Sequence, residues 1–241
     1  VLRLFGKYAS PEVAKMLWEH RDEFMDGHRP KPQRLVATVL ITDLQGFTTP
    51  ASRMAPDQVM DWINRYMEAM TEVAIQHGGF VDDYAGDGLK VDFGVPIARQ
   101  TAAESDMDAQ RAVKCALEMG RLVARMNEKY HEDPPLRLRA GVNTGELVAG
   151  SIGSRRRMKY TTVGDAVNTA ARLESFEKEK FARAPDADFR LLVSEETRER
   201  LGERFVVRSL GAHVLKGRDV ATGIYRVLRD NEPQLQLLEA I

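Results

Sequence analysis

Apolar residues recur along this chain with two periods, and the switches between them mark out the elements. Residues 35–42 are almost wholly apolar and rich in β-branched side chains, which predicts a strand buried on both faces. Val59, Trp62, Ile63, Tyr66, Met67, Met70, Val73 and Ala74 then fall at helical spacing. That stripe predicts a helix, ended by Gly78-Gly79. Residues 80–85 and 89–94 read as two strands joined at Gly86-Asp87-Gly88, a hairpin signal. A second long amphipathic helix is expected over 104–129. Residues 136–142 and 146–151 read as two further strands around Asn143-Thr144-Gly145, and a short helix is expected after Gly164. Residues 174–190 are charged and read as a loop or insertion. The C-terminal part sets short strands around one helix, at 191–193, 195–201, 205–210 and 223–227.

The order β-α-β-β-α-β predicts an α/β chain of the α+β kind, a ferredoxin-like core with extensions. The compact domain is expected over 33–241. Residues 1–32 read as a helical prefix and linker. Ser10-Pro11-Glu12 looks like an N-cap with proline in the first turn, and Val13, Met16, Leu17 and His20 follow at helical spacing. Gly27 to Pro32 has linker composition.

Composition narrows the classes. A chain of 241 residues, 43% hydrophobic, can build one ordinary core. With a net charge of -1 there is no global basic field, so no nucleic-acid partner is expected. The single cysteine, Cys115, excludes a disulfide framework. It lies among Ala112, Val113, Ala116 and Leu117, as a buried helix residue would, and fits a reducing, cytosolic setting. The longest strongly apolar run, 35–41, is too short to span a bilayer, and no signal-peptide pattern is visible. Because the chain opens on Val1, a longer parent protein is expected. The sequence has no Walker loop, no Cys/His metal spacing and no nucleophile elbow, and its five histidines are scattered.

Two places carry candidate chemistry. Asp43 sits at the exit of the first apolar strand, where a carboxylate is costly unless hydrated, paired or metal-bound. Asp87 sits in the hairpin turn. If the strands pair as the fold predicts, both carboxylates share one sheet edge and suit Mg²⁺ or Mn²⁺. Further on, Asn168 and Arg172 are four residues apart on the helix begun at Gly164-Asp165, so they share a face. An amide beside a guanidinium suits a ribose oxygen and a phosphate.

The segments Thr42 to Thr48, Gly86-Asp87 and Val163 to Arg172 together resemble the motifs of class III adenylyl/guanylyl cyclase catalytic domains. The resemblance covers roughly residues 33 to 228. Leu4-Phe5-Gly6-Lys7-Tyr8 and Ser10-Pro11-Glu12 also resemble the segment ahead of the catalytic domain in bacterial receptor cyclases. That implies an upstream sensor and a cytoplasmic domain of a membrane-anchored protein.

The resemblance further implies a head-to-tail homodimer with shared sites. One protomer would supply Asp43, Leu44 and Asp87 for two divalent metal ions, with the backbone around Phe47 and Thr48 on the nucleotide. Its partner would supply Asn168 to orient the ribose and Arg172 to stabilise charge at the α-phosphate. Lys216 matches the family lysine on the triphosphate. Arg156 matches a phosphate-binding arginine, with Arg155 and Arg157 as alternatives of register. The implied reaction is attack of the ribose 3′ oxygen on the α-phosphorus with loss of pyrophosphate.

One position departs from the family. Adenylyl cyclases commonly place a base-selecting lysine three residues before the glycine of the second metal turn, and here that residue is Asp83. Guanylyl cyclases place a carboxylate there. The partner position, Thr161, looks like bacterial adenylyl cyclases. In a two-residue hairpin Asp83 lies opposite Lys90, so a cross-strand ion pair is expected, with Lys90 reaching the purine from the neighbouring strand. ATP is the expected substrate and GTP the alternative. A catalytically degenerate nucleotide-binding domain is a reading from another class, against which Asp43, Asp87, Asn168 and Arg172 stand together. The signature of cyclic-dinucleotide synthases is absent.

Overall fold

The computed structural model describes residues 25–26, 29–45, 47, 51–52, 54–130, 135–154, 157–182 and 188–231. The elements, in chain order, begin with a short strand pair, β1 (Met25–Asp26) and β2 (Arg29–Pro30), then β3 (Gln33–Gln45) and α1 (Pro56–Gln76). Next come β4 (Phe80–Ala85), β5 (Gly88–Phe93), α2 (Ala102–Tyr130), β6 (Arg137–Ser154), β7 (Arg157–Val163), α3 (Asp165–Ser175) and α4 (Lys178–Ala182). The chain then runs through β8 (Phe189–Ser194), α5 (Glu195–Leu201), β9 (Phe205–Val214) and β10 (Ala221–Asp230).

One sheet organises the domain, in the order β4-β5-β3-β6-β8-β10-β9, with β7 paired to the far half of β6. The stretch β4-β5-β3-β6, built from consecutive β-α-β-β-α-β elements, is the ferredoxin-like order the sequence predicts. The central strand β3 is antiparallel to β5 on one side and to β6 on the other. Both of its edges are therefore hydrogen-bonded, and its apolar run can be buried from both faces by elements packed above and below.

Each face has its own core. Leu40, Leu138 and Val91 face Met70 of α1 and Val113 and Met119 of α2. Leu35, Ala37, Val39 and Phe80 face the other way, with Tyr160 of β7 and Ala166 and Ala170 of α3. Strand alternation carries Asp43, at the end of that second series, onto the α3 side. Helix α3 lies hard against β6 at Gly141, where any Cβ would stand 2.3 Å from the Ala170 carbonyl oxygen. The start of α1 is fixed by Pro56 in its first turn and by Gln58, whose Oε1 accepts from the Ala55 N–H at 3.1 Å.

Two expectations are corrected. Asn143-Thr144-Gly145 does not divide two strands, because β6 runs unbroken through it in register with β3. Thr144 Oγ1 is bonded to Thr38 Oγ1 at 2.8 Å, and Asn143 Nδ2 donates to the Ala166 carbonyl at 3.0 Å, so polar residues that resemble a turn are satisfied inside the sheet. Residues 174–190 are also not simply a loop. They hold the end of α3, all of α4 and the start of β8. The predicted prefix helix, Thr48, Arg155 and Arg156 lie outside the described residues, as does the side chain of Arg157. Among the described residues no helix is long and apolar enough to cross a membrane.

Candidate active site

The pairing of β3 with β5 sets the first half of the site. Thr42 is in register with Leu89, and its Oγ1 accepts from the Leu89 N–H at 3.3 Å. The end of β3 thus lies beside the β4–β5 turn, and Asp43 comes near Asp87. The electrostatics report that approach: burial raises the Asp87 pKa, and the negative charge of Asp43 raises it further. Two carboxylates that repel one another on a partly open edge form a hard-oxygen pair fit for a divalent cation. Leu44 buries its side chain in the core, so its main-chain carbonyl is its one possible ligand atom. No group of three or more His, Cys, Asp or Glu side chains converges on a metal position among the described residues. Phosphate and water oxygens would have to complete the coordination.

Arg139, Glu174 and Tyr66, none of them read from the sequence as a site residue, frame this edge. Arg139 stands directly opposite Asp43 in the β3–β6 register. Its Nη2 binds the Asp43 carboxylate, while its Nε donates to Glu174 Oε1 at 2.8 Å. Tyr66 lies beneath, and burial together with the charges of Asp87 and Asp43 pushes its hydroxyl far above the usual tyrosine range. Phe47 turns into the core and stacks on Trp62 with ring centroids 4.2 Å apart. That stack anchors the backbone just after β3. A charged residue in the apolar run Leu138-Arg139-Ala140 was the one available signal for Arg139.

The second half of the site is α3 and the loop between β9 and β10. Asn168 is exposed on α3. Arg172, one turn later, approaches Asp165 at 3.5 Å, and Arg218 reaches the same carboxylate at 3.3 Å. A Cβ on Gly217 would stand 3.3 Å from Arg172 Nη2, so the loop carrying exposed Lys216 lies against this helix. Arg172 and Lys216 therefore share one surface. Among the described residues, no hydrogen bond or ion pair joins Asp43 or Asp87 to Asn168 or Arg172.

The third cluster surrounds Asp83, the position that departs from the adenylyl cyclase motif. Asp83 is in register with Lys90, as expected, but the expected ion pair between them does not form. A bulge between Val81 and Asp83 makes Asp82 an extra residue and turns it inward. The fully buried Asp82 takes Lys90 at 2.6 Å. Lys90 also donates to the Thr162 carbonyl at 2.8 Å and lies 3.5 Å from Thr161 Oγ1. Asp83, more than half exposed, pairs instead with Lys159 of β7 at 2.7 Å. Thr161 Oγ1 donates to Asp82 Oδ2 at 2.7 Å. Burial opposes the Asp82 charge, but Lys90, Thr161 and the Thr162 N–H outweigh it and hold its carboxyl below the ordinary range. Behind it Asp92 accepts from Thr162 Oγ1 at 2.8 Å, and burial pushes its pKa up to about 8.

Comparison with known proteins agrees with this architecture. The sequence profile of the adenylate and guanylate cyclase catalytic domain matches residues 31–227. An adenylate cyclase of Mycobacterium tuberculosis is 35% identical over 193 residues, 80% of this chain and 40% of that protein. Among solved structures, the adenylyl cyclase CyaB from P. aeruginosa superposes with a TM-score of 0.73 at 31% identity, over 84% of this chain and 98% of that one. The guanylyl cyclase Cya2 gives 0.68 at 33% identity, over 84% and 96%. This chain spans only 9% to 40% of the length of the curated relatives it matches. With the profile covering most of its length, the chain belongs to the adenylate and guanylate cyclase catalytic domain family.

Proposed function

We propose that this domain converts ATP to 3′,5′-cyclic AMP and pyrophosphate, at sites shared between the two protomers of a homodimer. One observation carries the shared site: among the described residues, no hydrogen bond or ion pair joins the carboxylates of Asp43 and Asp87 to Asn168 or Arg172 within one chain. A second copy, placed head to tail, brings the α3 surface of one protomer over the edge of the other.

Asp43 and Asp87, with the Leu44 carbonyl, would hold two divalent ions, Mg²⁺ or Mn²⁺. Such ions would lower the pKa of the ribose 3′ hydroxyl and offset phosphate charge. Asn168 holds the ribose so that its 3′ oxygen lies in line with the α-phosphorus. The 3′ oxygen forms its bond to phosphorus as the bond to the bridging oxygen of pyrophosphate breaks, and the hydroxyl proton passes to solvent. Arg172, part-buried and four residues from Asn168, meets the charge that grows on the α-phosphate oxygens. Lys216 takes the outer phosphates, and Arg156 and the backbone at Phe47 and Thr48 complete their cradle.

The choice of ATP rests on the relatives named adenylate cyclase and on the cluster at Thr161 and Lys90. The GTP reading draws on one feature, the carboxylate of Asp83. The pairing of Lys159 with that carboxylate weakens it as an acceptor for guanine. In this reading the domain is the output of a longer signalling protein with an upstream sensor. Incubation with ATP or GTP, in Mg²⁺ and in Mn²⁺, followed by product identification, tests the proposal. Cyclic AMP as the main product supports it, whereas cyclic GMP alone, or nucleotide binding without product, overturns it.

A further inference from the structure

The carboxylate cluster at the bulge of β4 holds two lysines, and they are not equivalent. Lys90 has an ammonium with three N–H groups, and three acceptors of the protein stand around it: Asp82 Oδ2 at 2.6 Å, the Thr162 carbonyl at 2.8 Å and Thr161 Oγ1 at 3.5 Å. Its side chain is 14% exposed. Lys159 has two carboxylate oxygens at ion-pair distance, Asp83 Oδ2 at 2.7 Å and Asp82 Oδ1 at 3.1 Å, and its side chain is 37% exposed. An ammonium has three N–H groups and only these two oxygens beside it among the described residues, so donor capacity remains for a ligand. Burial works against the Lys159 charge, but Asp83 and Asp82 outweigh it and raise its pKa, so the ammonium is a fixed donor at neutral pH.

Thr161 is fixed in the opposite sense. Its proton goes to Asp82, which as an ionised carboxylate can only accept. What remains for a ligand is a lone pair. Asp82 therefore accepts from Thr161 through one oxygen and faces Lys159 at ion-pair distance with the other, which accepts no hydrogen bond. It sets an acceptor and a donor side by side, two residues apart on β7. That strand runs through Val163 and Gly164 directly into α3 and Asn168. A base attached to a ribose held by Asn168 has this wall of β7 within its reach.

We infer that Lys159, and not Lys90, is the lysine that reads the purine, donating to N1 of adenine while Thr161 accepts from the 6-amino group. Asp82 and Lys90 are positioning residues that hold this pair in its donor and acceptor states. The pattern matches adenine, which presents an amino donor beside the N1 acceptor. It opposes guanine, which presents an O6 acceptor beside an N1–H donor. Asp83 contributes by pinning the Lys159 ammonium. A carboxylate thus stands at the position where adenylyl cyclases commonly carry a lysine, and the cation arrives from β7, which does not pair with β4 in the sheet. This inference rests on the cyclase reading for the location of the ribose.

Two ATP analogues separate the contacts. 1-Deaza-ATP lacks the N1 acceptor, and purine riboside triphosphate lacks the 6-amino group. Turnover, and binding by competition against a fluorescent nucleotide, are measured for ATP and both analogues. The proteins are wild type, Lys159→Met, Lys159→Arg, Lys90→Met and Thr161→Val. Wild type should prefer ATP to 1-deaza-ATP by roughly 10- to 100-fold, the worth of one charged hydrogen bond. Lys159→Met should lose that preference while keeping the preference over purine riboside triphosphate. Thr161→Val should show the converse, and Lys159→Arg should restore part of the discrimination. A Lys159→Met protein that discriminates like wild type overturns the assignment, as does loss of N1 discrimination in Lys90→Met alone or a wild type blind to N1. If wild type forms no cyclic product, the cyclase reading fails, and the binding ratios still decide the role of Lys159.

Discussion

Arg139 stands directly across the ladder from Asp43 and binds its carboxylate while holding Glu174 of α3 with its other edge. The guanidinium is about nine-tenths buried, and Glu174 nearly as deeply. One cation thus ties the central strand, its neighbour and α3 together. Removing it leaves Glu174 without its partner in a place that already disfavours charge, since burial raises its pKa. Arg139→Met should destabilise the domain by about 3 kcal/mol, as expected when a buried pair loses one member. Urea unfolding at neutral pH measures it. A loss below about 0.5 kcal/mol, the scale of an ordinary surface change, would remove Arg139 from this role.

Asp43→Ala and Asp87→Ala address the carboxylate edge. Each should lower turnover by roughly 100- to 1,000-fold at saturating metal, the loss expected when a metal-held transition state is no longer stabilised. Asp87 lies in a turn and contributes little to the core, so its variant should keep the circular dichroism and thermal midpoint of wild type. Near-normal turnover in either variant would rule out the proposed metal site.

Asp92 makes stability depend on pH in a defined direction. Unfolded, an aspartate titrates near about 3.9. Folded, Asp92 titrates near 8, raised by burial and by Asp82 and lowered by Lys90 and Thr162. Between these values the folded state keeps a proton that the unfolded state has lost. Stability therefore declines as pH rises through this window and levels off above it. Asp92→Asn is neutral throughout and can still accept from Thr162. Its thermal midpoint should fall less than that of wild type between roughly pH 5 and pH 8. Parallel curves for the two proteins would show that Asp92 does not titrate there.

Much of this arrangement was legible in the sequence because it rests on periodicity. The apolar run of β3, the stripes of α1 and α2 and the glycine-bounded turn at Asp87 each follow from local pattern, and their order implied the ferredoxin-like sheet. What escaped were features decided by tertiary partners. Asn143-Thr144-Gly145 looks like a turn until Thr38 and Ala166 are there to satisfy it. Two adjacent aspartates, Asp82 and Asp83, cannot be told apart by register counting, because a single bulge exchanges which one faces Lys90. Lys159 follows the basic run Arg155 to Arg157 with no pattern that marks it out, and only the fold brings it to Asp83.

The shared site is the central claim, and mixing two dead variants tests it most directly. Asp43→Ala retains the α3 surface, and Arg172→Ala retains the carboxylate edge. Alone, each should form almost no cyclic AMP from ATP. Mixed in equal amounts, after subunit exchange is verified by fluorescence transfer between labelled chains, they should recover roughly a quarter of wild-type activity. Random pairing makes half of the dimers mixed, and each mixed dimer holds one intact site of two. Verified exchange with no recovery of cyclic AMP would contradict the account.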